Sequence, residues 1–326
     1  MMWVALRRRR TALAVLLGLA LLLDAWMVVN HRAATDALLR AGCAPTVPCV
    51  TPSGLFAPAR QAVVIVVLLW LLPLALGLVL GVGLVAGESE RTTHRLAWTQ
   101  GVPRTRWYLM SLAVAVGGAL VVTAVELPVA HSWAGAAWVD LPNQLTLHGD
   151  RIQPDVFAVS GVVPFAYTCT AVALGGVSGA VLRRVPWAAA VTVVGYGLLA
   201  VVMVTIVRPT FAPTGFHPDD TTDSVQYVNW PQPPPWVIAY EVRAIPGAER
   251  AARAASPDQV AAACSVYGYD PGRQIACLNR QGVEGGFVIQ PPDHYWRLQW
   301  AEALLYMGLA VVFAGAGLVA VRRMQD

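Results

Sequence analysis

Apolar residues in this chain do not alternate with polar ones; they run in six long blocks. The blocks are Thr11 to Val29, Ala62 to Ala86, Trp107 to Ala130, Val156 to Leu182, Pro186 to Val207 and Leu298 to Val321. A run of about 20 apolar residues is long enough to cross a hydrocarbon core roughly 30 Å thick as a helix. All six are too long for buried strands. Inside lipid the backbone must satisfy its own hydrogen bonds. No ten-residue alternation suggests a barrel, so helices remain. The pattern predicts an all-α integral membrane protein with six transmembrane helices. Residues 1–207 hold the first five, 208–297 form a loop domain, and 298–326 supply the sixth helix and a tail.

Composition sharpens this picture. Of 326 residues, 56% are hydrophobic and 13% charged, where soluble globular chains carry about 25% charged residues. A soluble core and an intrinsically disordered chain are both excluded as the main architecture. The 23 basic residues are all Arg, and a net charge of +4 is no nucleic-acid signature. What matters is where the arginines lie. With a cytoplasmic N-terminus, the inner segments hold Arg7 to Arg10, Arg91, Arg95, Arg104, Arg106, Arg183, Arg184, Arg322 and Arg323. That is twelve Arg in about forty residues; the other eleven are spread over about 150 residues of outer loops. The asymmetry follows the positive-inside tendency and predicts a multi-pass protein of the cell membrane with both termini cytoplasmic. Arg7 to Arg10 could also be the n-region of a cleaved signal peptide. The apolar run that follows is longer than the usual h-region of about 7 to 15 residues.

Cysteine placement is an independent check on sidedness. Cys43 and Cys49 fall in the first outer loop, Cys264 and Cys277 in the last, and Cys169 within the fourth span. An oxidising exterior favours two local disulfides, Cys43–Cys49 and Cys264–Cys277, the second worth roughly 3 kcal/mol by loop-closure entropy. Four cysteines allow three connectivities. No His lies at ligand spacing from either pair, so no metal site is expected.

The outer segment from Arg208 to Arg297 reads as a small domain with Pro-rich turns and a helix-like stretch from Pro246 to Tyr267. Trp230, Trp236, Tyr295, Trp296 and Trp300 fit either interfacial anchoring or packing of this segment, and Trp133 and Trp138 invite the same two readings.

No catalytic constellation is present. There is no Gly-x-x-x-x-Gly-Lys loop, and without Lys an ordinary P-loop is impossible. His-Glu-x-x-His and Gly-x-Ser-x-Gly are absent too. Asp219, Asp220 and Asp223 read as a solvated charge cluster. The ionisable residues at membrane depth are Asp24, Glu126, Cys169 and Glu302. A charge there is costly unless it faces a cavity or a partner, which makes Asp24 and Glu126 candidates for a polar pathway or an interhelical bond. Both lie toward the outer ends of their spans, where interfacial solvation also serves.

The inner loop between the second and third spans carries the remaining signal. From Glu88 to Gln100 nothing breaks a helix, acids come first and bases follow, and Gly101 with Pro103 closes it. Glu88 with Arg91, and Glu90 with His94, fall at i,i+3 and i,i+4 spacing, while Leu96 and Trp98 offer apolar surface. Physics alone allows an ordinary interfacial helix. Thr93-His-Arg-Leu-Ala-Trp-Thr-Gln100, followed by Arg104-Thr-Arg-Trp107, resembles the signature loop of actinobacterial permease subunits of ABC-2-type exporters. The motif covers about twenty residues, and the six-span order with its outer loop before the last span is similar as well. Thr92 stands where these loops usually carry Gly, and Gly101 and Pro103 where Ser is common.

The resemblance implies a coupling helix over 88–100 that docks on a separate cytoplasmic ATPase, a role carried to Glu88, Glu90, Arg91, His94, Arg95, Leu96, Trp98 and Gln100. It implies a permease without its own ATPase site or cofactor, paired with a second permease, a copy of itself. It also implies export along a path lined largely by the second and fifth spans, with Trp70, Pro73 and Tyr196 as wall residues; Asp24 and Glu126 are the candidate polar positions of that path, and the apolar walls favour a hydrophobic or amphipathic substrate. The contrasting expectation is a membrane sensor or scaffold whose outer domain binds a ligand. The Glu-Ala-Ala-x-x-x-Gly loop of many importers is missing.

Overall fold

A computed structural model describes residues 2–42, 53–90, 103–134, 151–218, 236–245, 257–265 and 271–323. Six of its helices are long and apolar enough to cross a membrane: Arg9–Arg40, Ser53–Gly87, Arg104–Trp133, Val163–Leu182, Val185–Thr210 and Pro292–Arg322, here spans 1 to 6. The chain divides into two compact units, Met1–Arg208 with Trp296–Asp326, and Pro209–Tyr295.

Span 4 is the axis of the helical unit. Its apolar window is 78% buried against 17% for span 5, so it packs on protein where span 5 presents side chains outward. Its sequence explains this. Ala, Gly, Ser and Thr dominate from Ala166 to Ala180, and small side chains let neighbouring backbones approach closely. Span 2 meets it with Gly77 and Gly81, and span 4 answers with Gly175 and Gly179. A Cβ on Gly175 would sit 2.4 Å from the Gly77 carbonyl oxygen, and one on Gly81 would sit 2.5 Å from that of Val172. Span 2 adopts π-helical geometry over Gly77–Val82, along this seam. Arg9 of span 1 donates to the Leu80 carbonyl there at 2.7 Å.

Two element ends differ from the apolar pattern. The helix of span 1 continues to Arg40, because Ala33, Ala34, Leu38 and Leu39 sustain a helix after the apolar block ends. Span 4 starts at Val163, not Val156. The stretch before it forms a short helix, Pro154–Phe157, and then turns at Gly161, whose φ of 70° suits glycine. Pro164 then sits in the first turn of the helix, where a missing N–H costs nothing. Trp133 is buried and donates to Asn30 Oδ1 at 3.0 Å, while Asn30 Nδ2 donates to the Pro58 carbonyl, so this tryptophan ties spans 1 to 3 together and is no interfacial anchor. Trp296 and Trp300 are about half exposed, as an interfacial belt requires.

The second unit carries a three-stranded antiparallel sheet in the order β1-β3-β2, with β1 Gly215–Pro218, β2 Trp236–Ala244 and β3 Val283–Gln290. The membrane part is helical throughout; this sheet is an addition to the expected all-α architecture. Helices Pro257–Cys264 and Pro271–Arg280 join it. Within the stretch Pro246 to Tyr267, the helix occupies only Pro257–Cys264 of the described residues. Ile275 and Leu278 are buried at i,i+3 spacing, and Leu278 packs with Val260, Cys264 and Val283. A disulfide joins Cys264 to Cys277 and closes the two helices on each other. Trp236 is buried within this unit.

Candidate functional site

Two polar clusters lie inside the helical unit, and span 4 serves both from adjacent residues, Tyr167 and Thr168.

The first cluster joins spans 4, 5 and 6. Arg208 and Glu302 are both fully buried. Arg208 Nε donates to Glu302 Oε2 at 2.7 Å and its Nη2 to Glu302 Oε1 at 2.9 Å, a two-pronged pair of the kind that gives strong charge-assisted bonds. Nη2 also donates to the Tyr167 hydroxyl at 3.0 Å, and that hydroxyl donates to Glu302 Oε1. The guanidinium lies over the Phe157 ring, 4.3 Å from its centroid, and the Tyr306 ring lies 4.5 Å from that of Tyr167. Thr170 donates to the Tyr306 carbonyl at 2.7 Å. One turn earlier in span 6, Gln299 Oε1 accepts the N–H groups of Val162 and Val163, which open span 4. Its Nε2 donates to the carbonyls of Phe157 and Ser160. This side chain satisfies a buried helix start.

The second cluster joins spans 1, 3 and 4. Asp24 is 8% exposed and Glu126 2% exposed. Asp24 Oδ1 and both Glu126 carboxylate oxygens are buried with no hydrogen-bond partner among the described residues. The two acids are close enough for the charge of Asp24 to act on Glu126. Glu126 lines a crevice walled by Leu69, Leu72 and Pro73 of span 2, Leu127 and Ala130 of span 3, Val159 in the turn before span 4, and Pro164 in its first turn. Thr123 and Thr168 also line it, with their hydroxyls 2.9 Å apart.

The expected path residues therefore do not converge. Glu126 and Pro73 line the crevice, and Asp24 stands close enough for its charge to act on Glu126. Trp70 is 43% exposed and donates its indole N–H to the Asp155 carbonyl at 3.1 Å. Tyr196 is buried elsewhere, against Ala171 and Leu174. Cys169 is buried as a free thiol. Of the residues assigned to coupling, Glu88 and Glu90 close the helix Gly83–Glu90, which continues from span 2 without a break. The exposed Glu90 Oε1 accepts the N–H of Val185, at the start of span 5, at 2.9 Å. Arg91, His94, Arg95, Leu96, Trp98 and Gln100 lie outside the described residues, as do Cys43, Cys49, Trp138 and Trp230.

The apolar pattern ends the fifth block at Val207 and makes Arg208 the first residue of an outer loop; the structure places it at the end of span 5, inside the helical unit. The available signal was a basic residue directly after an apolar block, facing a lone acid, Glu302, in another. The Gly77–Gly81 and Gly175–Gly179 pairs were legible too, as small-x-x-x-small spacing within two spans.

Comparison with curated proteins and with solved structures gave no significant match. Against protein families, residues 13–208 match, a stretch covering spans 1 to 5 and more than half of the chain. With six apolar helices, a buried polar interior and that match, the chain belongs to the ABC-2 membrane transporter related family and is a multi-pass transporter permease.

Proposed function

We propose that the chain is the permease subunit of an ATP-driven exporter that moves a hydrophobic or amphipathic substrate outward past Asp24 and Glu126. A separate cytoplasmic ATPase supplies the energy, since the chain has no Lys and so no ordinary P-loop. In this reading residues 88–100 form the coupling element, both termini are cytoplasmic, the Pro209–Tyr295 unit is extracellular, and a second copy of the chain completes the path.

The observation that carries the reading is the wiring at the end of span 2. The helix Gly83–Glu90 runs on from span 2, span 2 is seated on span 4 through paired glycines, and Glu90 holds the start of span 5. A push on residues 88–100 is therefore delivered to three spans together, which is what transmission from an ATPase requires. Interiors packed backbone to backbone transmit displacement because they have little room to yield.

Reversing Arg91 and Arg95 to Glu tests it. Juxtaposed like charges at a protein interface cost several kcal/mol, so the double variant should lose the ATPase in co-purification while inserting normally. A helix that merely lies on lipid would lose only about 1 kcal/mol per cation and keep the ATPase. Equal recovery of ATPase with unchanged transport-coupled hydrolysis would transfer the weight to a sensor or scaffold.

A further inference from the structure

We propose that the crevice at Glu126 is a binding site for the ammonium head of an amphiphilic amine, with Asp24 as the supporting charge. The inference rests on the permease reading, in which this crevice belongs to the substrate path, and it names the class of substrate.

The argument starts from what Glu126 lacks. Its two carboxylate oxygens are buried and face no donor among the described residues. The hydroxyls beside it are already committed. Thr123 donates to the Ala119 carbonyl at 3.1 Å, which leaves Thr168 to donate to Thr123 across 2.9 Å. A second carboxylate, Asp24, adds negative potential without adding a donor. A buried carboxylate left in this state is costly, and a cation that brings its own N–H donors removes the cost.

The surroundings select among cations. A hard metal ion needs about six oxygen ligands, and the lining offers one carboxylate and two occupied hydroxyls. The remaining walls are Leu69, Leu72, Leu127 and Val159, which suit the alkyl or aromatic body of an organic cation. A primary ammonium fits best, with donors for both bare oxygens of Glu126 and a charge that the nearby Asp24 also attracts. The complementary arrangement, with opposite charge already in place, exists at Arg208 and Glu302, and among the described residues Glu126 is the one buried acid with neither carboxylate oxygen bonded.

Monodansylcadaverine, a primary amine with an apolar fluorophore, is the probe, and its N-acetyl derivative is the uncharged control. The full chain in maltoside micelles should bind the amine saturably, read as tryptophan-to-dansyl energy transfer above empty micelles. The acetylated compound should bind about tenfold more weakly or worse, the ratio expected when a charge-assisted bond is lost. Glu126→Gln should erase that preference, Asp24→Asn should reduce it, and Asp36→Asn, at an exposed acid of the same helix, should leave it intact. Equal binding of both compounds to the wild-type chain overturns the proposal, as does wild-type preference in a folded Glu126→Gln variant. If that variant fails to fold, the wild-type ratio and the Asp24→Asn result still decide. ATPase co-purification from the same preparations keeps the two readings apart: ATPase retained without amine preference sinks this site alone, and amine preference without ATPase sinks the permease reading alone.

Discussion

Tyr167 and Thr168 are neighbours on span 4, yet they serve regions with opposite electrostatic character. Tyr167 enters a closed network in which its hydroxyl accepts a hydrogen bond from Arg208 and donates one to Glu302, and Arg208 donates two more to Glu302. Thr168 borders a crevice where Glu126 has no donor among the described residues and a second acid stands close. Both regions put ionisable side chains at membrane depth, where such residues are rare and expensive. The first cancels its expense internally and so fixes how spans 4, 5 and 6 meet. The second leaves its expense standing, and a fold keeps such a defect where something outside the chain is to be bound.

Breaking the closed side should have the largest effect. Glu302→Gln leaves the Arg208 guanidinium buried without a counter-charge, and removing one partner of a buried pair costs about 3–5 kcal/mol. Thermal unfolding in detergent should show a large drop. The double variant Arg208→Met with Glu302→Leu should recover most of it, because replacing both charges by apolar groups of similar volume is often neutral. A double variant as unstable as the single one would mean that the pair contributes more than mutual neutralisation.

The seam that positions both regions comes next. Gly175→Ala would push a methyl against the Gly77 carbonyl at 2.4 Å and the Val82 nitrogen at 2.9 Å, and neither backbone atom can move aside alone. Overpacking of this kind costs about 1–3 kcal/mol. Gly308→Ala in span 6 meets nothing within 4 Å and is the matched control, expected to be neutral or slightly stabilising. Equal melting temperatures for the two variants would remove the tight seam as the frame of the comparison.

Much of this frame was legible in the chain and some was not, for reasons that lie in particular residues. The six spans show as apolar blocks because lipid demands them at full length. Helix ends are less visible: His31 to Arg40 continues a helix without being apolar, and Ser160-Gly161 breaks one inside an apolar run. The sheet is hidden because β1 is four residues containing Gly and Pro, and β3 contains Gly285-Gly286. Strand propensity does not find such segments. Its pairing also joins residues far apart in sequence, Gly215 with Ile289. Asp24 and Glu126 stand out as lone acids, since one charge in an apolar block is conspicuous. That the charge of Asp24 reaches Glu126, while Arg208 pairs with Glu302, depends on helix rotation, which no single apolar block encodes.

On the open side the expected sign reverses. Glu126→Leu removes a buried carboxylate that has nothing to bond among the described residues, so the unliganded protein should become more stable by about 1 kcal/mol or more. The comparison is sharpest when Glu126→Leu and Glu302→Leu are melted side by side, one rising and the other falling. A loss of stability at Glu126 would mean that the carboxylate has a partner in the folded protein, and the distinction between the regions would collapse.

The smallest expected effect lies at the border. Thr168→Val keeps the shape of the side chain and deletes its hydroxyl, which among the described residues bonds to Thr123 alone. Thr123 keeps its bond to the Ala119 carbonyl, so no buried donor is stranded. A neutral hydrogen bond lost without a stranded donor should cost about 0.5–1 kcal/mol. Because neither hydroxyl donates to Glu126, the same variant should leave the amine preference of the crevice untouched. If Thr168→Val weakened amine binding as strongly as Glu126→Gln while melting like the wild type, Thr168 would itself be a ligand of the ammonium group. The division of labour between the two neighbours on span 4 would then be drawn one atom too far from the crevice.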